Sequence, residues 1–251
     1  MIYNFFGIEV NYIIIKAEEN NDKPPILFLH GWGGEIRSFS AYAQKIKNRD
    51  CILVDFPPFG KSGQVTFPLS TKLYAKMIVG LIKSLKIDTV SIVAHSFGGR
   101  VAIEMSKIGL NIDKMLLTGC AGIKKRSMAS CFKIAKYKVV KFLCKIHILK
   151  PEILKQFGSS DYKNLNNIMK QTFNNIISYD QTKDLKKINC PVVLFWGKND
   201  KDTPFYFTKI FKKHIKDCGV VSTNGGHFAY LQSPSLFLEV MFAFFDIKRE
   251  N

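Results

Sequence analysis

Ser96 stands between two small residues, Ala94 and Gly98, in the stretch Val90-Ser-Ile-Val-Ala-His-Ser-Phe-Gly-Gly-Arg-Val101. A short β-branched apolar run, a His-Ser pair, two glycines and then a helical pattern read as strand, sharp turn and helix. Such a turn lifts a serine to the C-terminal edge of a sheet in a strained backbone conformation. It needs small residues two positions before and after the serine so that strand and helix can approach. The usual pattern is Gly-x-Ser-x-Gly; Ala94 departs from it by one methyl group, and Gly99 adds room. A hydroxyl so placed can attack an acyl carbon, provided an imidazole takes its proton and a carboxylate fixes that imidazole's tautomer.

The elements that must hold this serine follow from the hydrophobic pattern. Ile2 to Phe6 and Ile8 to Ile15 predict a hairpin about Gly7. Ile26 to Leu29 is a continuous apolar run, as expected of a strand buried on both faces of a parallel sheet, and it enters the glycine-rich loop His30-Gly-Trp-Gly-Gly34. A helix over Ile36 to Lys47, a strand over Cys51 to Val54 and a helix capped by Ser70 and running to Lys86 precede the serine strand. A helix over Phe97 to Lys107 and a strand over Met115 to Thr118 follow it. Strand signals return at Pro191 to Trp196 and Val220 to Ser222, with helices over Phe205 to Lys216 and Pro234 to Phe245. The fold class is therefore α/β: a mostly parallel, doubly wound sheet of about eight strands, interrupted after the sixth by a helical insertion.

That insertion divides the chain into a first core part (1–120), a cap (121–189) and a second core part (190–251). Fifteen basic and four acidic residues fall in the cap, a net +11 of the chain's +17. A helix from about Ser127 to Leu149 would gather Phe132, Ala135, Val139, Phe142, Leu143 and Ile146 on one face, expected to cover the pocket, with Lys138, Lys141 and Lys145 opposite. At 251 residues and 47% hydrophobic content the chain can bury a large core. Six scattered cysteines (Cys51, Cys120, Cys131, Cys144, Cys190, Cys218) form no Cys-x-x-Cys pair and no cluster with histidine, so neither a zinc site nor a disulfide framework is expected. With no signal-peptide pattern over Met1 to Lys16 and no stretch long enough to span a bilayer, the expected location is the cytoplasm.

Three motifs in one order resemble the α/β-hydrolase family, and the likeness covers most of residues 24 to 247. His30-Gly-Trp-Gly-Gly34 is similar to its oxyanion loop, Ala94-His-Ser-Phe-Gly98 to its nucleophile elbow, and Gly197-Lys-Asn-Asp-Lys-Asp-Thr-Pro204 followed by Gly225-Gly-His227 to its acid and histidine loops. The resemblance implies Ser96 as nucleophile, His227 as base and Asp200 as acid, with Asp202 the nearest rival. It further implies backbone amides of Trp32 and Phe97 as oxyanion donors, the latter at a helix start where amides are free. Trp32, Phe59, Phe97 and Phe228 are the candidate pocket residues. His30 reads as a residue that orders its loop, His95 as a packed support, and His147 and His214 as surface residues. Asp55 to Ser62 is similar to the family's Asp-x-Pro-Gly-x-Gly-x-Ser turn, but Pro58 replaces the first glycine and forbids a positive φ there. The turn must therefore differ locally, and Asp55 reads as structural.

Serine rather than aspartate at position 96 implies acyl transfer to water, hence carboxylic ester hydrolysis without a metal or an organic cofactor. Relatives with the same triad cleave carbon–carbon bonds, open lactones or act as cofactor-free peroxidases. A menaquinone-pathway-type lyase also resembles the family; there Arg37 and Arg100 could hold carboxylates, although Arg100 reads equally as a surface or packing residue. A non-catalytic binding module is the reading from another class, and the intact triad argues against it. Besides a small-molecule acyl ester, the basic cap suits an acidic carrier protein or an anionic membrane surface, whereas nucleic acid is disfavoured because no aromatic stacking platform accompanies the charge.

Overall fold

The computed structural model describes residues 1–18, 22–124, 139–140, 142–144, 146, 150, 153, 162 and 164–247. Eight strands form one sheet: β1 (Ile2–Phe5), β2 (Ile8–Ile15), β3 (Ile26–Leu29), β4 (Cys51–Val54), β5 (Thr89–His95), β6 (Asn111–Thr118), β7 (Val192–Gly197) and β8 (Cys218–Thr223). Their spatial order is β1-β2-β4-β3-β5-β6-β7-β8, antiparallel at β1–β2 and β2–β4 and parallel elsewhere. Because β3 and β4 are buried at every residue and β5 at all but its first, these strands read as unbroken apolar runs rather than alternating ones. From β3 the chain crosses to β4 on one side and then to β5 on the other. The carboxyl ends of β3 and β5 thus flank the point where winding reverses, the usual place for a ligand crevice in an open α/β sheet.

Both faces of the sheet are covered. One carries α2 (Thr71–Ser84), α3 (Phe97–Lys107) and α5 (Phe207–His214), packed with Tyr74, Val101 and Phe211 in one core. The other carries α1 (Arg37–Ala43), α6 (Ala229–Gln232) and α7 (Pro234–Phe245), with Phe39, Tyr230 and Phe237 in a second core. Between β6 and β7 lie α4 (Asn167–Ser178) and a 3-10 turn (Asp184–Lys187). Asn166 caps α4 by accepting from the Met169 amide at 2.8 Å, and Thr172 Oγ1 accepts from the Leu69 amide at 2.9 Å, which fastens α4 to the chain ahead of α2.

Most predicted elements recur within a residue or two, and Ser70 does cap α2. The structure lengthens β6 backward to Asn111, over residues that are only partly buried and gave no apolar run. It shortens α1, which ends at Ala43. Most of the helix expected from Ser127 to Leu149 lies outside the described residues. Of the face expected to cover the pocket, Val139, Phe142 and Ile146 are instead 58%, 60% and 44% exposed. Their amphipathic spacing is genuine, but spacing alone does not say which face of a helix meets the core. No helix among the described residues is long and apolar enough to cross a membrane.

Candidate active site

The turn between β5 and α3 gives Ser96 φ 48° and ψ −107°, a left-handed backbone that costs a non-glycine residue on the order of 1–3 kcal/mol. The surroundings enforce it. The Ser96 amide donates to Thr118 O at 3.1 Å, and Ser96 O accepts from the Ala121 amide at 3.0 Å, which ties the elbow to the end of β6. Gly98 is required by space: a Cβ there would come within 2.2 Å of Leu29 O at the end of β3. Helix and strand touch backbone to backbone, as the small residue two positions after the serine foretold.

Two laced loops deliver the other groups. After β7, the buried Trp196 holds the acid loop by donating Nε1–H to Thr203 O at 2.8 Å. The Lys198 amide donates to Thr223 O at 2.8 Å and the Asn199 amide to Gly225 O at 3.0 Å, so the loop after β7 is joined to the loop after β8. Across this junction His227 Nδ1 lies 2.9 Å from Asp200 Oδ2, and His227 Nε2 lies 3.0 Å from Ser96 Oγ. Asp200 also accepts from the Asp202 and Thr203 amides at 2.9 and 2.8 Å and from Thr203 Oγ1 at 2.7 Å. Burial alone would raise its pKa, but the bonds from His227 and Thr203 outweigh burial and hold it below the usual carboxylate value. Asp202 is exposed and lends Asp200 only its backbone amide. Asp200, Asp202 and His227 bring possible ligand atoms within 4.8 Å of one another, yet the Asp200 carboxylate and both His227 nitrogens are already committed to these hydrogen bonds. The arrangement suits a proton relay better than a metal.

The remaining histidines of the site are scaffolding. His30 Nε2 accepts from the Phe56 amide at 2.9 Å, so the ring proton sits on Nδ1 and is donated to Gly31 O at 2.7 Å. Burial pushes its pKa down to about 4. His95 faces the carbonyl of His227 with Nε2 at 3.1 Å and therefore donates from that nitrogen; burial pushes it down to about 3. Asp55 is structural as expected: it accepts from the Ile36 amide at 2.6 Å, the Lys61 amide at 2.9 Å and Asn11 Nδ2 at 2.8 Å. The altered turn is accommodated by a cis Pro57–Pro58 bond and by φ +59° at Gly60, where a Cβ would strike the Asp55 carboxylate. Ser62 bonds to Asn11 and Asp55 backbone, not to the cavity.

A cavity of about 290 Å³ opens over Ser96 and His227. Trp32 and Phe97 line it; Phe59 packs behind Trp32 at 5.0 Å between rings, and Phe228, 49% exposed, leans on His95, so both lie outside the lining. Phe173, Ile176 and Ile177 from α4, with Ile123 and Phe207, supply the apolar wall that sequence reasoning missed. The signal was present: Met169, Thr172, Phe173 and Ile176 recur at helical spacing. The amides of Trp32 and Phe97 find no hydrogen-bond partner among the described residues and remain free donors near the serine.

A model of the alpha/beta hydrolase family matches residues 26–240. The chain belongs to that family. This α/β hydrolase is 23% identical to the uncharacterized hydrolase YugF of Bacillus subtilis (strain 168), over 93% of each chain, and 26% identical to the putative esterase/lipase 2 of Mycoplasma genitalium, again over 93% of each. Among solved structures it resembles MGS-M2, an alpha/beta hydrolase from a Medee basin deep-sea metagenome library (TM-score 0.77, 18% identity, 100% and 99% of the chains). It also resembles the esterase EaEST from Exiguobacterium antarcticum (TM-score 0.73, 20% identity, 96% of each). These structural likenesses carry the fold.

Proposed function

We propose that this hydrolase cleaves carboxylic esters through an acyl-enzyme on Ser96. The observation that carries the reading is the unbroken path Asp200–His227–Ser96, at 2.9 and 3.0 Å, beneath a largely apolar cavity. His227 removes the Ser96 proton as Oγ bonds to the ester carbonyl carbon, and Asp200 holds the Nδ1–H tautomer and stabilises the imidazolium. The amides of Trp32 and Phe97 receive the oxyanion; one such donor is worth roughly 3–4 kcal/mol to the barrier. His227 then returns its proton to the departing alcohol, and water repeats the sequence to free the acid. Residues 121–189 act as a cap over Ser96, and their net +11 steers the enzyme toward esters presented on an acidic carrier protein or an anionic membrane surface.

Hydrolysis of p-nitrophenyl esters of increasing chain length tests the reaction class. Turnover that depends on chain length, with a serine-directed phosphonate labelling Ser96, supports it; the absence of ester turnover, or labelling elsewhere, overturns it.

A further inference from the structure

The two oxygens of the Asp200 carboxylate are held in different ways. Oδ1 accepts from the backbone amides of Asp202 and Thr203, at 2.9 and 2.8 Å, as an aspartate commonly does within its own turn. Oδ2, the oxygen that faces His227 Nδ1 at 2.9 Å, meets a side chain as well, because Thr203 Oγ1 lies 2.7 Å from it. That hydroxyl is also 3.3 Å from His227 Nδ1 and 3.1 Å from Gly119 O. Gly119 follows Thr118, whose carbonyl accepts from the Ser96 amide at 3.1 Å. One hydroxyl, on a residue only 5% exposed, thus stands where the turns carrying Asp200 and His227 meet the end of β6 that holds Ser96. Its backbone is fastened on both sides: the Thr203 amide bonds to Asp200 Oδ1, and the Thr203 carbonyl accepts from Trp196 Nε1 at 2.8 Å. A hydroxyl carries one proton, and an ionised carboxylate can only accept. The proton therefore goes to Asp200 Oδ2, the shorter and charged contact, rather than to Gly119 O, which leaves a lone pair for the His227 side.

We propose that Thr203 is a positioning residue for the Asp200–His227–Ser96 path. Its hydroxyl fixes Oδ2 on the line to His227 Nδ1 and offers the Nδ1–H a second, weaker acceptor while His227 Nε2 holds the proton taken from Ser96; Thr203 keeps its own proton throughout. This deepens the esterase reading and rests on it. The terminal torsion of an aspartate is broad, so amides on Oδ1 alone would leave Oδ2 room to swing away from the imidazole. With both oxygens held, the carboxylate plane is set before substrate arrives. Two competing accounts exist. Thr203 lines the cavity, so its hydroxyl could serve the substrate instead, and its methyl could matter only as packing.

The test separates hydroxyl from shape. Thr203→Val keeps the volume and removes the hydroxyl, whereas Thr203→Ser keeps the hydroxyl and removes the methyl. With p-nitrophenyl butyrate as probe, Thr203→Val should lower kcat roughly ten- to hundredfold, the range for a hydrogen bond to a charged group, with KM within about twofold of the parent. Thr203→Ser should recover most of the lost kcat. Thr203→Ala should fall as far as Thr203→Val, so the contrast with serine can be read even where the valine variant does not fold. An unchanged kcat without the hydroxyl, a rise in KM in place of the fall in kcat, or a loss in Thr203→Ser as large as in the hydroxyl-free variants overturns the proposal. A second measurement needs no substrate. In nitrogen-15 labelled protein the His227 Nδ1 proton should exchange with solvent several-fold faster in Thr203→Val or Thr203→Ala than in the parent, and at the parent rate in Thr203→Ser. If the parent cleaves no ester the hydrolase reading falls; faster exchange without the hydroxyl then still upholds the positioning by Thr203, and equal exchange overturns it.

Discussion

Beneath the cavity, Ser96, Asp200 and His227 stand on turns that leave β5, β7 and β8, and each is fixed by backbone hydrogen bonds to a neighbouring turn. Beside it, Phe173, Ile176 and Ile177 project from α4, whose hold on the core includes Thr172 and Asn175 bonding to Leu69 and the edge-to-face contact of Phe173 with Trp32 at 5.3 Å between ring centroids. Polar bonds have direction and short range, so the floor admits few substitutions. Apolar contact is set by area and volume, so the wall tolerates change as long as space is filled. On the proposed reading, chemistry falls to the rigid part and choice of substrate to the adaptable one.

Substitutions in the floor should give the largest effects. Ser96→Ala is expected to lower kcat by roughly 10⁴- to 10⁶-fold without unfolding the protein, and Asp200→Asn by about 10⁴-fold, whereas Asp202→Asn should stay within about twofold. If the two aspartates exchanged these outcomes, the hydrogen-bond pattern drawn above would be assigned to the wrong acid. In the wall, Phe173→Ala should raise KM roughly tenfold while kcat moves much less, because lost apolar contact weakens ground and transition states alike. An equal fall in kcat would show that α4 belongs to the chemistry and would erase the contrast. The basic segment that precedes α4 in the chain predicts a smaller effect still. Esters on anionic vesicles or on an acidic carrier protein should lose kcat/KM several-fold between low and moderate salt, where the Debye length shrinks to about 8 Å, and small neutral esters should not. Equal salt dependence for both, or no change on converting Lys138, Lys141 and Lys145 to glutamate, would leave those lysines as solvated surface only.

Acid sharpens the comparison from the stability side. His30 and His95 are held neutral, with pKa values of about 4 and 3 against about 6.5 in an unfolded chain. The native state therefore binds fewer protons than the unfolded one at intermediate pH. The stability this represents is fully present above about pH 6.5 and declines as pH falls toward 4 and below. Asp200, whose pKa is lowered, acts in the same sense at more acid pH: its contribution is present above the ordinary carboxylate value and is lost as pH drops through the folded one. Tm should accordingly fall by several degrees from pH 7 to pH 4.5, and more gently in His95→Gln. A flat profile would contradict the burial of these rings.

The sequence was explicit wherever a residue type answers to a single backbone demand. Ser96 flanked by Ala94 and Gly98 announces an elbow because almost nothing else fits against Leu29 O, and four-residue apolar runs announce strands covered on both faces. Two kinds of information were not legible. One is orientation: the amphipathic pattern through Val139, Phe142 and Ile146 is visible, but which neighbour it meets depends on tertiary geometry, and those side chains turn to solvent. The other is convergence: Phe173, Ile176 and Phe207 come from segments about thirty residues apart, and no local spacing reveals that they share a cavity with Ser96. Pro58 shows an intermediate case, since the sequence announces that the turn must change but not that Gly60 would take the left-handed place.

The opposite hydrogen placements on His30 and His95 give the site a built-in spectroscopic reference. One ring keeps its proton on Nδ1 because Phe56 needs an acceptor at Nε2, and the other keeps its proton on Nε2 because a carbonyl faces it. Both N–H groups are buried, so in nitrogen-15 labelled protein they should give two slowly exchanging low-field imidazole protons with distinct tautomer shifts, steady across the neutral range. Against that fixed pair, an imidazole signal of the site that moves when a phosphonate captures the serine belongs to His227, and the state of the base can be followed without any substrate being known.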